Sequence, residues 1–185
     1  MVLERKKLTS GTTWHAAGLI AQLRASKNMT KLAKYSQELY GELEAETGVA
    51  TGFRRTGSIT VALTEARREE ILRQAAMARA FGVEVEEIGP NEIAHRYPHL
   101  NLEGVLSGVY LAKDGQGDPA NIALALAKGA RHRGALVLEG IKVTGMEADG
   151  RRIKKLSWAN GVDQGEIEAE HVINCAGMWG REVGR

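Results

Sequence analysis

Helical and extended hydrophobic periods alternate along this chain, and that alternation limits the fold more than any other feature. Between Asn28 and Thr47 the apolar residues Leu32, Tyr35, Leu39, Tyr40 and Leu43 recur at helical steps, with Gly48 as the stop. The stretch FRRTGSITVAL, 53–63, is β-branched and alternating, and reads as one strand or as two with a bend at Gly57. Thr64 is placed to cap a helix running to Phe81, with Ile71, Leu72, Ala75 and Ala78 on one face and Gly82 at its end. A short strand over 83–88, a short helix over 91–97 stopped by Pro98, and a strand over 106–111 follow.

The loop KDGQGDP leads into another helix. Asp118 is a natural N-cap and Pro119 a natural first helical residue, with Gly134 closing the helix near Arg133. Strands are expected at 135–139, 141–147, 153–158 and 166–170, with Asp149-Gly150 and Asn160-Gly161 as turn dipeptides. A last apolar strand is expected over His171–Cys175, and a first one ends at Val2-Leu3-Glu4. Helices alternate with strands at both ends around an extended middle. The expected class is therefore α/β (α+β): parts of a parallel, Rossmann-like domain with an inserted, mostly antiparallel sheet and its helices. The division reads as 1–48 and 113–185 for the parallel domain and 49–112 for the insertion.

Bulk properties remove several functions. The chain has 185 residues, 43% of them hydrophobic and 26% charged, which is ordinary for a packed protein. The net charge of +2 is too balanced to point to nucleic acid or an anionic membrane, and Arg5-Lys6-Lys7 is too short for a binding patch. One cysteine, Cys175, excludes an internal disulfide and a cysteine-rich metal site; it reads as a core residue. No apolar run approaches the roughly 20 residues of a membrane span, and MVLERKK has no apolar segment of a secretory signal. A reducing compartment follows: the cytoplasm, or the mitochondrial matrix if the chain is eukaryotic.

Three places carry chemistry. Glu4 stands at the end of a strand, where an acid accepts the hydroxyls of a ribose; a plain surface charge is the competing reading. The loop TSGTTWHAAGL, 9–19, has glycines for close approach and hydroxyls and N–H groups that suit a pyrophosphate. His15 in that loop is either a ligand-facing group or a structural, hydrogen-bonding histidine. No second His, Cys or carboxylate sits at metal-ligand spacing beside it, and no GxSxG elbow supports a hydrolase. The third place, Asn174-Cys175-Ala176-Gly177-Met178-Trp179, offers small residues at a strand end, or a simple strand-to-helix turn. Asp114 reads as a turn former beside the cap Asp118, and His95, His99, His132 and His171 carry no separate signal.

ERKKLTSGTTWHAAGL, FRRTGSITVAL, DGQGDPANIALALAKGAR and VINCAGMWGREVG occur here in one order. Together they resemble the flavin-dependent dimethylglycine and sarcosine dehydrogenases of the D-amino-acid-oxidase-like superfamily, over nearly the whole chain. The resemblance implies FAD as cofactor, held covalently at His15 through the methyl carbon at position 8 of the ring system. It implies flavin contacts from Glu4 and Arg5, from Gly11, Thr12, Thr13, Trp14, His15, Ala16, Ala17, Gly18 and Leu19, from Val143 near the adenine, and from Ala176, Gly177 and Trp179. The implied reaction is oxidation of an N-methyl amine such as sarcosine or dimethylglycine, by hydride transfer to the flavin and hydrolysis of the resulting imine to formaldehyde.

Two departures from the family pattern shape the expectation. The glycine-rich GxGxxG turn and first strand are not seen before Met1, and the amine-binding residues of the substrate domain are not seen after Trp179. The expectation is thus a fragment that lacks turnover alone, whose exposed sheet edges invite pairing with another copy. A tetrahydrofolate-binding domain is expected only outside these residues. The alternative is a binding or assembly module that keeps part of the fold without chemistry.

Overall fold

Capping and burial explain why the expected helices form where they do. In the computed structural model, which describes residues 1–150 and 152–184, β1 (Val2–Glu4), β2 (Leu19–Ile20), α1 (Lys27–Thr47), β3 (Ser58–Ala62), α2 (Glu65–Ala80), β4 (Glu86–Ile88) and α3 (Pro90–Arg96) are followed by β5 (Ser107–Leu111), β6 (Gly115–Gln116), α4 (Pro119–His132), β7 (Val137–Glu139), β8 (Lys142–Asp149), β9 (Arg152–Ala159), β10 (Gln164–Glu168) and α5 (Gly180–Val183). Ser26 caps α1 by accepting from the Met29 N–H, and Thr64 caps α2 by accepting from the Arg67 N–H at 3.2 Å. Asp118 Oδ1 accepts from the N–H groups of Ala120 and Asn121 at 2.9 and 3.0 Å, with Pro119 as first residue of α4. Each such cap satisfies donors that the helix itself leaves open, a contribution of about 1 kcal/mol.

The described residues fall into two compact units. The first combines Met1–Ala16 with the described residues of Ala123–Arg185, and the second is Ala17–Ile122. In the second, β3, β5 and β4 form an antiparallel sheet in the order β3-β5-β4. α2 packs on it: Ile71, Ala75 and Ala78, spaced four and three apart, join Ala62, Val83, Val109 and Leu111 in one buried cluster. Full burial of a side chain such as Ile71 contributes roughly 1.5–3 kcal/mol. Leu72, expected on the same face, is only half-buried. Gly57 precedes β3 with φ +74°, and a Cβ there would overlap the Tyr110 ring, so the bend in FRRTGSITVAL needs glycine. Before that bend Arg54 only bridges to Gln116, while the strand proper begins at Ser58.

In the first unit β1 pairs in parallel with β7, in the register Val2 to Val137, Leu3 to Leu138 and Glu4 to Glu139. β8, β9 and β10 make an antiparallel meander. The mixed helix-and-strand class is as expected, with one parallel pair and small antiparallel sheets. Two expectations fail at the far end. Residues 171–176 form no strand, because no described strand lies alongside to supply a ladder, and Ile173 is 84% exposed. Cys175 is exposed on the same segment and is not a core residue.

Candidate functional site

β1 ends at Glu4, and the chain leaves it through a tightly held turn. Glu4 Oε1 accepts from the Lys6 N–H at 2.8 Å, and its carbonyl accepts from the Ile141 N–H at 2.9 Å, two residues before the half-buried Val143 in β8. The second oxygen of Glu4 takes no hydrogen bond among the described residues. Arg5 is exposed, and its guanidinium lies 4.2 Å from the centroid of the Trp179 ring, a cation–π contact. Gly11 borders the same ring: a Cβ there would stand 3.7 Å from Trp179 Cζ3.

Between Arg5 and Gly11 the backbone turns at Thr9, whose φ of +71° is the one positive value outside glycine among the described residues. A β-branched residue in that region costs on the order of 1–3 kcal/mol and is kept only where its surroundings over-determine it. Glu139, the ladder partner of Glu4 in β7, accepts from the Leu8 N–H at 2.6 Å and from Lys7 Nζ at 3.2 Å. The Leu8 N–H first, and then the Lys7 ammonium, hold the Glu139 carboxyl below its ordinary value. Nothing in the sequence marks Glu139 apart from other strand-end acids; only the parallel pairing of β1 with β7 brings it beside the loop.

Thr13–His15 form a single 3-10 turn, closed by the His15 N–H on Thr12 O and the Ala16 N–H on Thr13 O. Trp14 and His15 stand with ring centroids 3.7 Å apart and planes tilted by 33°, and Trp14 is 60% exposed. No hydrogen bond engages the His15 ring among the described residues, so the structural-histidine reading has no partner there. Ala16 is exposed. At the chain's other end Ala176 donates its N–H to Asn174 Oδ1 at 3.1 Å, and Gly177–Trp179 make a second 3-10 turn. A Cβ on Gly177 would meet nothing within 4 Å.

Glu4, Arg5, Gly11, Val143 and Trp179 thus gather in the first unit, with Thr12–Ala16 on the connected turn. Ala17, Gly18 and Leu19 belong to the second unit. Ala17 and Leu19 are exposed, and Leu19 pairs with Gln116 in the β2–β6 ladder. Gly18 has φ +74° and accepts from the Gly117 N–H at 3.0 Å; a Cβ on it would overlap the Gly117 carbonyl oxygen, so only glycine lets the two backbones meet.

A dinucleotide fits this inventory. The free Glu4 oxygen suits a ribose hydroxyl, and the N–H groups of Gly11 and Thr12 have no backbone acceptor among the described residues. Open space beside Gly177 leaves room for close approach. No group of three or more His, Cys, Asp or Glu side chains among the described residues forms a metal cluster. Asp114 is not catalytic-looking: it is 4% exposed and is consumed by hydrogen bonds from the Gln22 N–H and Ser58 Oγ.

A family model described as FAD dependent oxidoreductase matches residues 1–185. Human mitochondrial sarcosine dehydrogenase is 37% identical over 188 residues, and human mitochondrial dimethylglycine dehydrogenase is 39% identical over 187. Each alignment takes in 100% of this chain but 20% and 21% of the relative, so the chain spans about a fifth of their length. Among solved structures, L-proline dehydrogenase from P. horikoshii superposes with a TM-score of 0.88 at 25% identity, over 98% of this chain and 47% of that one.

Proposed function

This chain belongs to the FAD-dependent oxidoreductase family, and we propose that it carries the flavin-holding loop of an enzyme oxidising an N-methyl amine of the sarcosine or dimethylglycine type. FAD is the cofactor of the family. The single observation that carries the reading is His15. It sits on an exposed turn, its ring flanked by Trp14 and engaged by no hydrogen bond among the described residues, inside TSGTTWHAAGL.

The hard chemistry, acceptance of a hydride equivalent from the methyl carbon, is what FAD supplies when bound. The protein's residues orient it. The His15 imidazole is the proposed point of covalent attachment, and the Trp14 ring against it restricts its rotation. Glu4 accepts a ribose hydroxyl through its open oxygen, and Arg5, stacked on Trp179, adds positive charge beside the phosphates. Gly11, Thr12 and Thr13 offer N–H groups to the pyrophosphate. Ala16, Ala176 and Gly177 keep the chain slim where the ring system passes, Ala17, Gly18 and Leu19 complete the sequence of the flavin loop, and Val143 faces the adenine. In this reading 1–48 and 113–185 serve the flavin and 49–112 the substrate.

The finer parts of the proposal concern the working protein. A tetrahydrofolate site outside these residues takes up the released carbon. In a eukaryote the location is the mitochondrial matrix; the names of the two human relatives support the mitochondrion. No described helix is long and apolar enough to cross a membrane. Segment 171–176 has no ladder partner among the described residues and leaves Ile173 in solvent, which favours pairing with another copy.

The test is a denaturing gel viewed under ultraviolet light, using protein from cells supplied with riboflavin. A fluorescent band that disappears in His15→Ala supports attachment; a band that persists in that variant rejects it. Formaldehyde release from sarcosine or dimethylglycine, with an artificial electron acceptor, tests the substrate class. A flavin-loaded protein that oxidises α-amino acids but neither N-methyl amine would overturn that class.

A further inference from the structure

We propose that Glu139 is a positioning residue for the flavin loop: its carboxylate, on the parallel strand beside β1, grips the Leu8 N–H and fixes the path of residues 7–10, from which the turn at 11–15 departs. The proposal rests on the reading of 9–19 as the loop that holds the flavin.

The geometry is specific. β1 and β7 end side by side with Glu4 opposite Glu139. The two carboxylates then take alternate N–H groups of the departing chain, Glu4 from Lys6 at 2.8 Å and Glu139 from Leu8 at 2.6 Å. Meanwhile the Gly140 N–H donates to Lys6 O at 2.9 Å, and both the N–H and Oγ of Ser10 donate to Lys7 O. Residues 6–10 are thereby held from both sides, and the strained, left-handed Thr9 lies inside the held segment. Gly11 begins where the grip ends, already against Trp179. A left-handed threonine persists only where neighbouring contacts leave no alternative, and the bond from Leu8, one residue earlier, is the long-range contact nearest to it in sequence. It is also charge-assisted, about twice as strong as a neutral equivalent. Lys7 adds little, since its ammonium is largely in solvent. Among the described residues no hydrogen bond joins Glu139 to the histidine or the tryptophan of the loop; it acts through Leu8 and Thr9.

The experiment compares Glu139→Ala, Glu139→Gln and Lys7→Met with the wild type, purified from cells supplied with riboflavin and checked for folding by circular dichroism. Two quantities are read: amide hydrogen exchange of the peptide spanning Leu8–Ser10, and the fraction of protein carrying flavin. In Glu139→Ala, exchange should rise about tenfold or more and the flavin-carrying fraction should fall by a similar factor. Glu139→Gln keeps an acceptor oxygen and should lose roughly half of that effect on a logarithmic scale. Lys7→Met should stay within about twofold in both. Fast exchange with an unchanged flavin fraction in Glu139→Ala would overturn the positioning role while leaving the clamp. Unchanged exchange would overturn the clamp as well. A wild type with no flavin would reject the flavin reading and the positioning role with it, and the exchange rates would then decide only the clamp on residues 6–10.

Discussion

Asp114 Oδ1 accepts the backbone N–H of Gln22 at 2.8 Å, joining two positions 92 residues apart. Its other oxygen accepts from Ser58 Oγ at 2.7 Å, and the Gln22 side chain continues to Gln37 Oε1 at 2.7 Å. One buried carboxylate therefore ties the segment after β2 to the start of β3 and, through Gln22, to α1. Asp114→Ala leaves the Gln22 N–H and the Ser58 hydroxyl without their acceptor. The expected cost is about 3 kcal/mol, against about 1 kcal/mol for Asp114→Asn, which keeps one acceptor oxygen. Urea denaturation followed by tryptophan-independent circular dichroism measures it; equal midpoints for both variants would contradict the network.

That network also shows where the sequence stops being legible. The caps Thr64 and Asp118 and the stripe Ile71, Ala75, Ala78 follow from local rules and appear in the structure as read. Asp114 closes the turn expected of it, donating its N–H to Leu111 O at 3.3 Å, but its side-chain role has no local signature because those partners lie far off in sequence. Glu139 carries no local signature for the same reason. The strand expected at His171–Cys175 failed because apolar, β-branched residues specify a preference, while a strand also needs a neighbour. The loop 9–19 stood out through its composition, yet neither the left-handed Thr9 nor the Arg5–Trp179 contact has a local signature.

Ile71→Ala tests the core of the second unit. Ile71 is buried among Ala62, Ala75, Val109 and their neighbours, small residues with little freedom to fill a void. The expected loss is about 2–5 kcal/mol, at the upper end if the cavity persists. Ile71→Val should lose only about 1 kcal/mol. Thermal unfolding of the two variants gives the ordering, and a larger loss for valine would refute this packing.

Gly18→Ala should be disproportionately damaging for one added methyl group. The backbone there is left-handed, and the Cβ would run into the Gly117 carbonyl oxygen beside the β2–β6 ladder. Strain plus loss of the Gly117 hydrogen bond amounts to roughly 2–4 kcal/mol. Gly150→Ala is a useful contrast: its φ is also positive, but a Cβ there meets nothing within 4 Å, so only the backbone term of about 1 kcal/mol remains. Comparable losses in the two variants would show that the Gly18–Gly117 approach does not matter.

The turn held by Glu139 should loosen in acid. The carboxyl is held below its ordinary value by the Leu8 N–H and Lys7, with Arg131 contributing more weakly. A depressed carboxyl contributes stability that is complete above the unfolded value and is lost as pH falls through the lower, folded one. The turn should therefore be indifferent between pH 6 and 8, about the working range of most proteins, and open below the usual carboxylate range. Amide exchange has its own pH dependence, which Glu139→Gln shares while lacking the acid. The ratio of exchange at Leu8 in the variant to that in the wild type isolates the effect. It should be about threefold near neutrality and fall toward one in acid, because protonation turns the wild-type carboxylate into a neutral acceptor like the amide. Added salt should change it little, since the Leu8 bond is a direct contact and only the exposed Lys7 pair is screened. A ratio that does not vary with pH would mean that the negative charge on Glu139 contributes nothing to holding the loop.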